Sequence, residues 1–363
     1  MLIKISRSKK LLLVTVLMAS AFAQAQERRP TVPAPVSGTT PPAVPISAPR
    51  TGPKAYKDVI TDKAVSRKGL FNIHKLDDKW FFEIGDTLLG RDLLVVNRLS
   101  KAAAGMRNFF FGYAGDQIGN TVIRFEKGPN NRMFLKKVSF DEMSKDSSQP
   151  MYRSVMNSNI QPIVASFDIA AYSRDSNGAV LDMTSFINSD NDILNFSSNL
   201  KSAFQVGSLQ SDKSYTLGVK TYPLNVEVKT VKTYSKSSGP IAPGAPFSIP
   251  SGGTLLTMEI NSSILLLPAT PLRQRNYDNR VGYFARSYTD FDANPQGVKD
   301  VTMIVRWRLE PKDADIEKYK RGELVEPKKP IIYYIDPATP AKWVPYLIQG
   351  VNDWQVAFEK AGF

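Results

Sequence analysis

From Tyr56 to Glu310 the chain repeats one texture: short runs of β-branched and aromatic residues, many alternating with polar ones, each closed by a turn signal. Alternation with period two marks a strand with one buried face, so this stretch is not a helical bundle. The runs are Trp80–Ile84, Asp92–Arg98, Asn108–Tyr113, Thr121–Glu126, Arg132–Val138, Ile163–Ser173 and Ala179–Met183, then Ser214–Lys220, Leu224–Thr233, Thr254–Asn261, Ser263–Leu267, Val281–Tyr288 and Val298–Leu309. Gly119-Asn120 and Gly128-Pro129-Asn130-Asn131 supply turn chemistry. Thr184–Leu194 reads as helical or irregular, and Pro240–Gly253 as a loop. The expectation is a mainly β, or α+β, fold: a sandwich-like body or irregular sheets, with no repeat of fixed period.

The N-terminus reads as an export signal. Lys4, Arg7, Lys9 and Lys10 precede an apolar run, Leu11–Phe22, and Ala23-Gln24-Ala25 offers a small-x-small exit. That run is too short to span a bilayer comfortably. Cleavage after Ala25 would leave Gln26 first, in a periplasmic, outer-surface or extracellular protein. No cysteine is present, so no disulfide contributes and stability must come from burial, for which 42% hydrophobic residues suffice. The formal charge of +13 falls to 13 − 4 = +9 without residues 1–25. The basic residues are scattered among acids, so no nucleic-acid arm is expected. Residues 26–54, rich in Pro, Ala, Thr and Ser, read as a disordered linker. A small N-terminal domain over 55–104 and a β-rich domain over 105–311 follow.

After a charged connector, 312–329, the texture changes. Pro330–Asp336 is a nearly continuous apolar run, expected to be a strand buried on both faces. In Lys342–Lys360, residues Val344, Leu347, Ile348, Val351, Trp354 and Phe358 share one helical stripe, and Gly362 fits a helix C′ position.

Three stretches together resemble exported bacterial zinc-dependent metalloproteases of the metzincin type. They are Lys68-Gly69-Leu70-Phe71 with Trp80–Ile84 and Leu88–Leu94; Asp278–Phe284 with Val305–Glu310; and Pro330–Asp336 with Gly350–Phe363. The resemblance implies a protein or peptide substrate, zinc in the full-length member, and residues 330–363 as the first strand and helix of an incomplete zincin-like domain. It also implies a catalytic H-E-x-x-H helix beyond Phe363. The residues at hand cannot build that centre, which needs three ligands: His74 is the only histidine and there is no thiol. The expected role is therefore a scaffold, latency or substrate-positioning region, itself inactive. The alternative is a free-standing protein- or glycan-binding module using Tyr152, Tyr172, Tyr215 or Tyr222.

Other candidate sites are weaker. A Ser-His-Asp arrangement would have to use His74, and no G-x-S-x-G, P-loop or Rossmann fingerprint occurs. A Ser-Lys dyad leaves no local signature. Asn188–Asp192 has calcium-loop spacing, but Ile193 stands where the loop needs Gly, so a capping turn is the better reading. Asp278 is a latency candidate by resemblance. Its plain reading is a charged turn paired with Arg280.

Overall fold

The computed structural model describes residues 52–107, 111–236, 254–294 and 297–363. The segments expected to be an export signal, a linker (as far as residue 51) and a loop over 240–253 lie outside the described residues.

Twelve strands form one antiparallel sheet. In chain order they are β1 (Val65–Arg67), β2 (Asn72–Leu76), β3 (Lys79–Gly85), β4 (Leu93–Lys101), β5 (Gln117–Gly128) and β6 (Arg132–Val138). After a short β7 (Glu142–Met143), which lies elsewhere, come β8 (Ile163–Tyr172), β9 (Gly178–Asp182), β10 (Val206–Leu209), β11 (Tyr215–Thr221), β12 (Asn225–Lys236) and β13 (Leu255–Leu266). Their spatial order is β1-β2-β3-β9-β8-β6-β5-β4-β13-β12-β10, with β11 also bonded to β12. Strands from 65–101 and from 117–266 thus share one sheet.

The sheet curls until its ends nearly meet. Leu70 N donates to Tyr222 O at 2.7 Å, and Thr221 Oγ1 donates to Phe71 O at 2.9 Å, tying the start of β2 to the end of β11. Gly69 permits that approach, since a Cβ there would stand 2.2 Å from Thr221 Oγ1. The mainly β expectation holds, with one curled sheet in place of two stacked ones.

The period-two pattern sets what the curl encloses. Phe71, Phe82, Ile84, Leu93, Val95, Ile123, Phe125, Leu135, Leu181, Val226 and Val228 form the inner core. Phe71 packs edge-on to Phe125 at 5.9 Å between ring centres. A second cluster continues along the sheet, where Phe196, Phe204, Tyr234, Met258 and Ile260 pack with Leu99 and Ile118. Outside β3, β9 and β8, the helix α1 (Tyr56–Val59) covers Phe81, Ala171 and Val180.

Three helices and a hairpin pack around the sheet. They are α2 (Pro150–Ser158), α3 (Thr184–Asn188) and α4 (Ser198–Ala203), and a hairpin of β14 (Ala285–Asn294) and β15 (Gly297–Ile304). The hairpin takes β7 as a parallel third strand. Asp292 fastens it by accepting from Ser144 Oγ and the backbone N–H of Lys145 and Asp146.

Two expected strands are not seen among the described residues. Of Asn108–Tyr113, residues 108–110 lie outside the described residues and 111–113 are not strand. Gly112 takes φ +93°, and Asp116 Oδ2 accepts from the Gly112 and Tyr113 N–H groups, which makes a tight loop. Pro330–Asp336 is likewise not strand. A strand buried on both faces needs neighbours on both edges. None pairs with this segment among the described residues, and Tyr334 is 90% exposed.

Before it, α5 (Ile316–Lys320) lies in the connector; after it, the expected long helix is two: α6 (Val344–Asn352) and α7 (Gln355–Lys360). Gly362, at φ +94°, closes α7 as expected: Gly362 N donates to Glu359 O and Phe363 N to Phe358 O. No helix among the described residues is long and apolar enough to cross a membrane.

Candidate functional site: a basic groove at the seam

Where the sheet nearly closes, the two ends splay and leave a groove of about 500 Å³. Its floor is apolar: Ile73, Trp80 and Val219 are core residues that reach it. Its rim is basic. Arg67 and Lys75 stand on the β1–β2 side, and Lys220 and Lys229 on the β11–β12 side. Lys75 Nζ lies 5.4 Å from the Trp80 ring centre, a cation–π contact.

Local folding explains this gathering. Val65 and Arg67 share a face of β1 because they are two residues apart, and Arg67 pairs across to Ile73. On β11 the register slips between Thr216 and Gly218, a bulge at Leu217 that leaves this side chain open beside the groove.

Charges here divide into satisfied and free. Lys229 pairs with Glu259 at 2.9 Å, and Lys101 holds the same carboxylate. The Lys229 bond, helped by that to Lys101, draws the Glu259 carboxyl below its ordinary range. Glu227, the acid lining the groove, accepts from Asn225, Asn261 and Ser263. Arg67, Lys75 and Lys220 have no ion pair among the described residues. Set against Glu227, which lies opposite Lys220, the groove still offers an excess of positive charge over an apolar floor.

On the opposite face of β1 lies the cluster around His74. Nδ1 is 2.7 Å from Ser66 Oγ, and Nε2 is 3.0 Å from Glu83 Oε2. The Tyr56 hydroxyl donates to the same Glu83 oxygen at 3.0 Å. The connectivity is that of a serine, a histidine and an acid, but the ring is turned so that Nδ1 meets the serine, opposite to the usual triad. His74 is buried, and Ser66 sits on an exposed strand of three residues. These contacts fasten α1, β1, β2 and β3 together.

The bond from His74, with one from Tyr56, pulls the Glu83 carboxyl below its usual range against the opposing effect of burial. Burial, with Glu83 beside it, pushes the Tyr56 phenol up to about 12. An acid whose pKa is lowered on folding adds stability above its unfolded pKa of about 4.3, and loses it as pH falls through the folded value. Glu83→Gln should thus cost about 1.5–3 kcal/mol at neutral pH. The gap from wild type should narrow steadily below about pH 4. Urea unfolding at a series of pH values checks this; a gap independent of pH would contradict it.

The remaining sequence candidates resolve structurally. Asn191 Oδ1 accepts from the N–H groups of Ile193 and Leu194, the expected capping turn. Asp190 is engaged by Lys201 and Asp192 by Lys137, so the loop's oxygens do not converge. Asp278 is held by the Arg280 side chain and backbone in an exposed turn. Of the four tyrosines, Tyr222 alone lines the groove. Sequence reasoning missed Ser66 and Glu83 as partners of His74; the signal lay in the hairpin registers that set Ser66 opposite His74 and bring β3 alongside.

No curated protein and no solved structure matches the chain. Residues 53–102 match the family model described as Domain of unknown function (DUF5118). The model described as Domain of unknown function (DUF5117) matches residues 115–312, more than half of the 363 residues, and the chain belongs to that family.

Proposed function

We propose that this chain is a non-catalytic front region of an exported zinc-dependent metalloprotease, which scaffolds the enzyme and positions its polypeptide substrate. The observation that carries the reading is the exposed apolar face of residues 331–358. Ile332, Tyr333, Leu347, Ile348, Val351 and Trp354 are all exposed there, on a chain whose β body packs its own core. Leu309, Val325, Ile331, Tyr333, Trp354 and Phe358 also line a hollow of about 340 Å³. Apolar surface of this extent marks an interaction face. It coincides with the residues most similar to the opening of a metzincin domain, so the proposed cover is the catalytic domain.

The residues present do not fit a zinc site. Both nitrogens of His74 are engaged by Ser66 and Glu83, and no thiol exists. Among the described residues no three His, Cys, Asp or Glu side chains converge. No catalytic step is assigned to this chain.

Two measurements test the proposal. Translation of the gene beyond codon 363 should run into an H-E-x-x-H motif, and the longer product should hold one zinc; a frame without the motif overturns the reading. In the 363-residue chain, amides of 344–358 should exchange much faster than those of β12 and β13. Equal protection would show that this segment is already packed. The second reading, a free-standing binding module, is favoured by the seam groove and its Tyr222, and survives a negative result for zinc.

A further inference from the structure

We infer that the seam groove binds an extended, acidic polypeptide segment by strand addition, its backbone pairing with the open edges of β1 and β11. The inference goes beyond the protease reading and holds whether the chain serves a protease or acts alone.

Three observations support it. The first is hydrogen bonding. Among the described residues β1 pairs only with β2, and β11 only with β12. Apart from the ties of Leu70 to Tyr222 and of Thr221 to Phe71, the facing edges are unpaired among the described residues, and unpaired edges recruit extended chains. The open edge of β11 spans seven residues, about 23 Å at roughly 3.3 Å per residue.

The second is apolar exposure. Short edge strands, bulges and lysines are also how proteins protect an edge. A protected edge would not leave Val65 at 63% and Leu217 at 46% exposure beside Trp80, where an added strand would cover them. The third is charge. Arg67, Lys75 and Lys220 stand on both sides of the gap in no ion pair among the described residues, and outnumber Glu227, which lies opposite Lys220 in the β11–β12 register, so alternating Asp or Glu side chains would meet an excess of positive charge. The chain's own 26–54 segment is the wrong occupant. It carries Arg28, Arg29, Arg50 and Lys54 against a single acid, Glu27, and its prolines lack the N–H that pairing needs.

Backbone pairing separates this proposal from plain attraction of a polyanion. The experiment is calorimetric titration of the purified chain with a blocked seven-residue peptide alternating Glu and Val. Two further peptides carry the same sequence N-methylated on odd or on even residues, which blocks one strand edge at a time. We expect the parent peptide to bind, to weaken with added salt, and to exceed each N-methylated form by at least about tenfold. The R67E/K220E double variant should lose about tenfold affinity for the parent peptide while keeping its circular dichroism. The idea is overturned if either N-methylated peptide binds as the parent does, if the double variant is unaffected, or if the parent does not bind. Displacement by a heparin fragment together with indifference to N-methylation would identify a polyanion site instead. The peptide arms use unaltered protein, so misfolding cannot explain them, and none of these results bears on zinc.

Discussion

Replacing Lys232 with methionine should destabilise the chain by about 3–5 kcal/mol, the scale of leaving two carbonyls without their donor. Lys232 lies on β12 and is fully buried. Its Nζ donates to the carbonyl oxygens of Ile187 at 2.8 Å, Asn188 at 2.7 Å and Ser189 at 3.2 Å. Those are carbonyls at the C-terminal end of α3, which the helix itself leaves without partners. An ammonium has three donors, and here three acceptors meet them. Burial pushes the amine down to about 8, with Asp190 pulling the other way, so it keeps its proton at neutral pH.

Methionine preserves the length of the stem and removes every donor, leaving the Ile187 and Asn188 carbonyls without this partner at about 1–3 kcal/mol each before relaxation, while Ser189 O keeps its bond from Asn195 Nδ2. The loss would spread. α3 leads into the loop in which Asn191 and Asn195 hold the backbone around Ser189, and Tyr234 bonds Asp190 in the same loop. Urea unfolding of Lys232→Met gives the number. A cost below about 1 kcal/mol would mean that water replaces the ammonium and that the lysine is not the fastener argued here.

How much of this was legible in the sequence follows from the range of each interaction. Alternation is local, so β6 was read at its observed bounds, Arg132–Val138, and most other strands to within a few residues. β13 was read as two strands because polar Asn261 and Ser262 interrupt its apolar pattern. They are tolerated because Ser262 Oγ donates to Leu194 O and Asn261 Nδ2 to Glu227, bonds that arise only once distant segments meet. The opposite error occurred at Pro330–Asp336, where an apolar run promised a strand and no neighbour lies alongside it. The groove was invisible for the same reason. Arg67 and Lys220 are scattered charges in the sequence, and they become a rim only because β2 and β11 meet. His74 is buried among Ser66, Glu83 and Tyr56, partners that depend on the register of two hairpins.

The closure itself can be tested at Phe71, where truncation to alanine should cost about 3–5 kcal/mol. Phe71 is fully buried, and it contacts two aromatic neighbours, Phe82 at 6.0 Å and Phe125 at 5.9 Å between ring centres. Part of the loss is ordinary, since removing a ring leaves a cavity that close-packed surroundings refill only in part. The rest is particular to this position, because the Phe71 carbonyl takes the Thr221 hydroxyl bond that holds the two ends of the sheet together. Without the ring to anchor it, the 68–71 turn should move, and the tie to β11 with it. Phe125→Ala removes a ring of the same size from the middle of the sheet; it takes one neighbour from Phe71 but leaves the Phe71 ring and the seam bonds in place. Both variants should therefore unfold at lower urea. Phe71→Ala alone should also speed amide exchange at Leu70 and Tyr222, whose N–H groups bond across or beside the seam. Equal exchange in the two variants would show that the closure rests on the strands themselves and that Phe71 contributes only its volume.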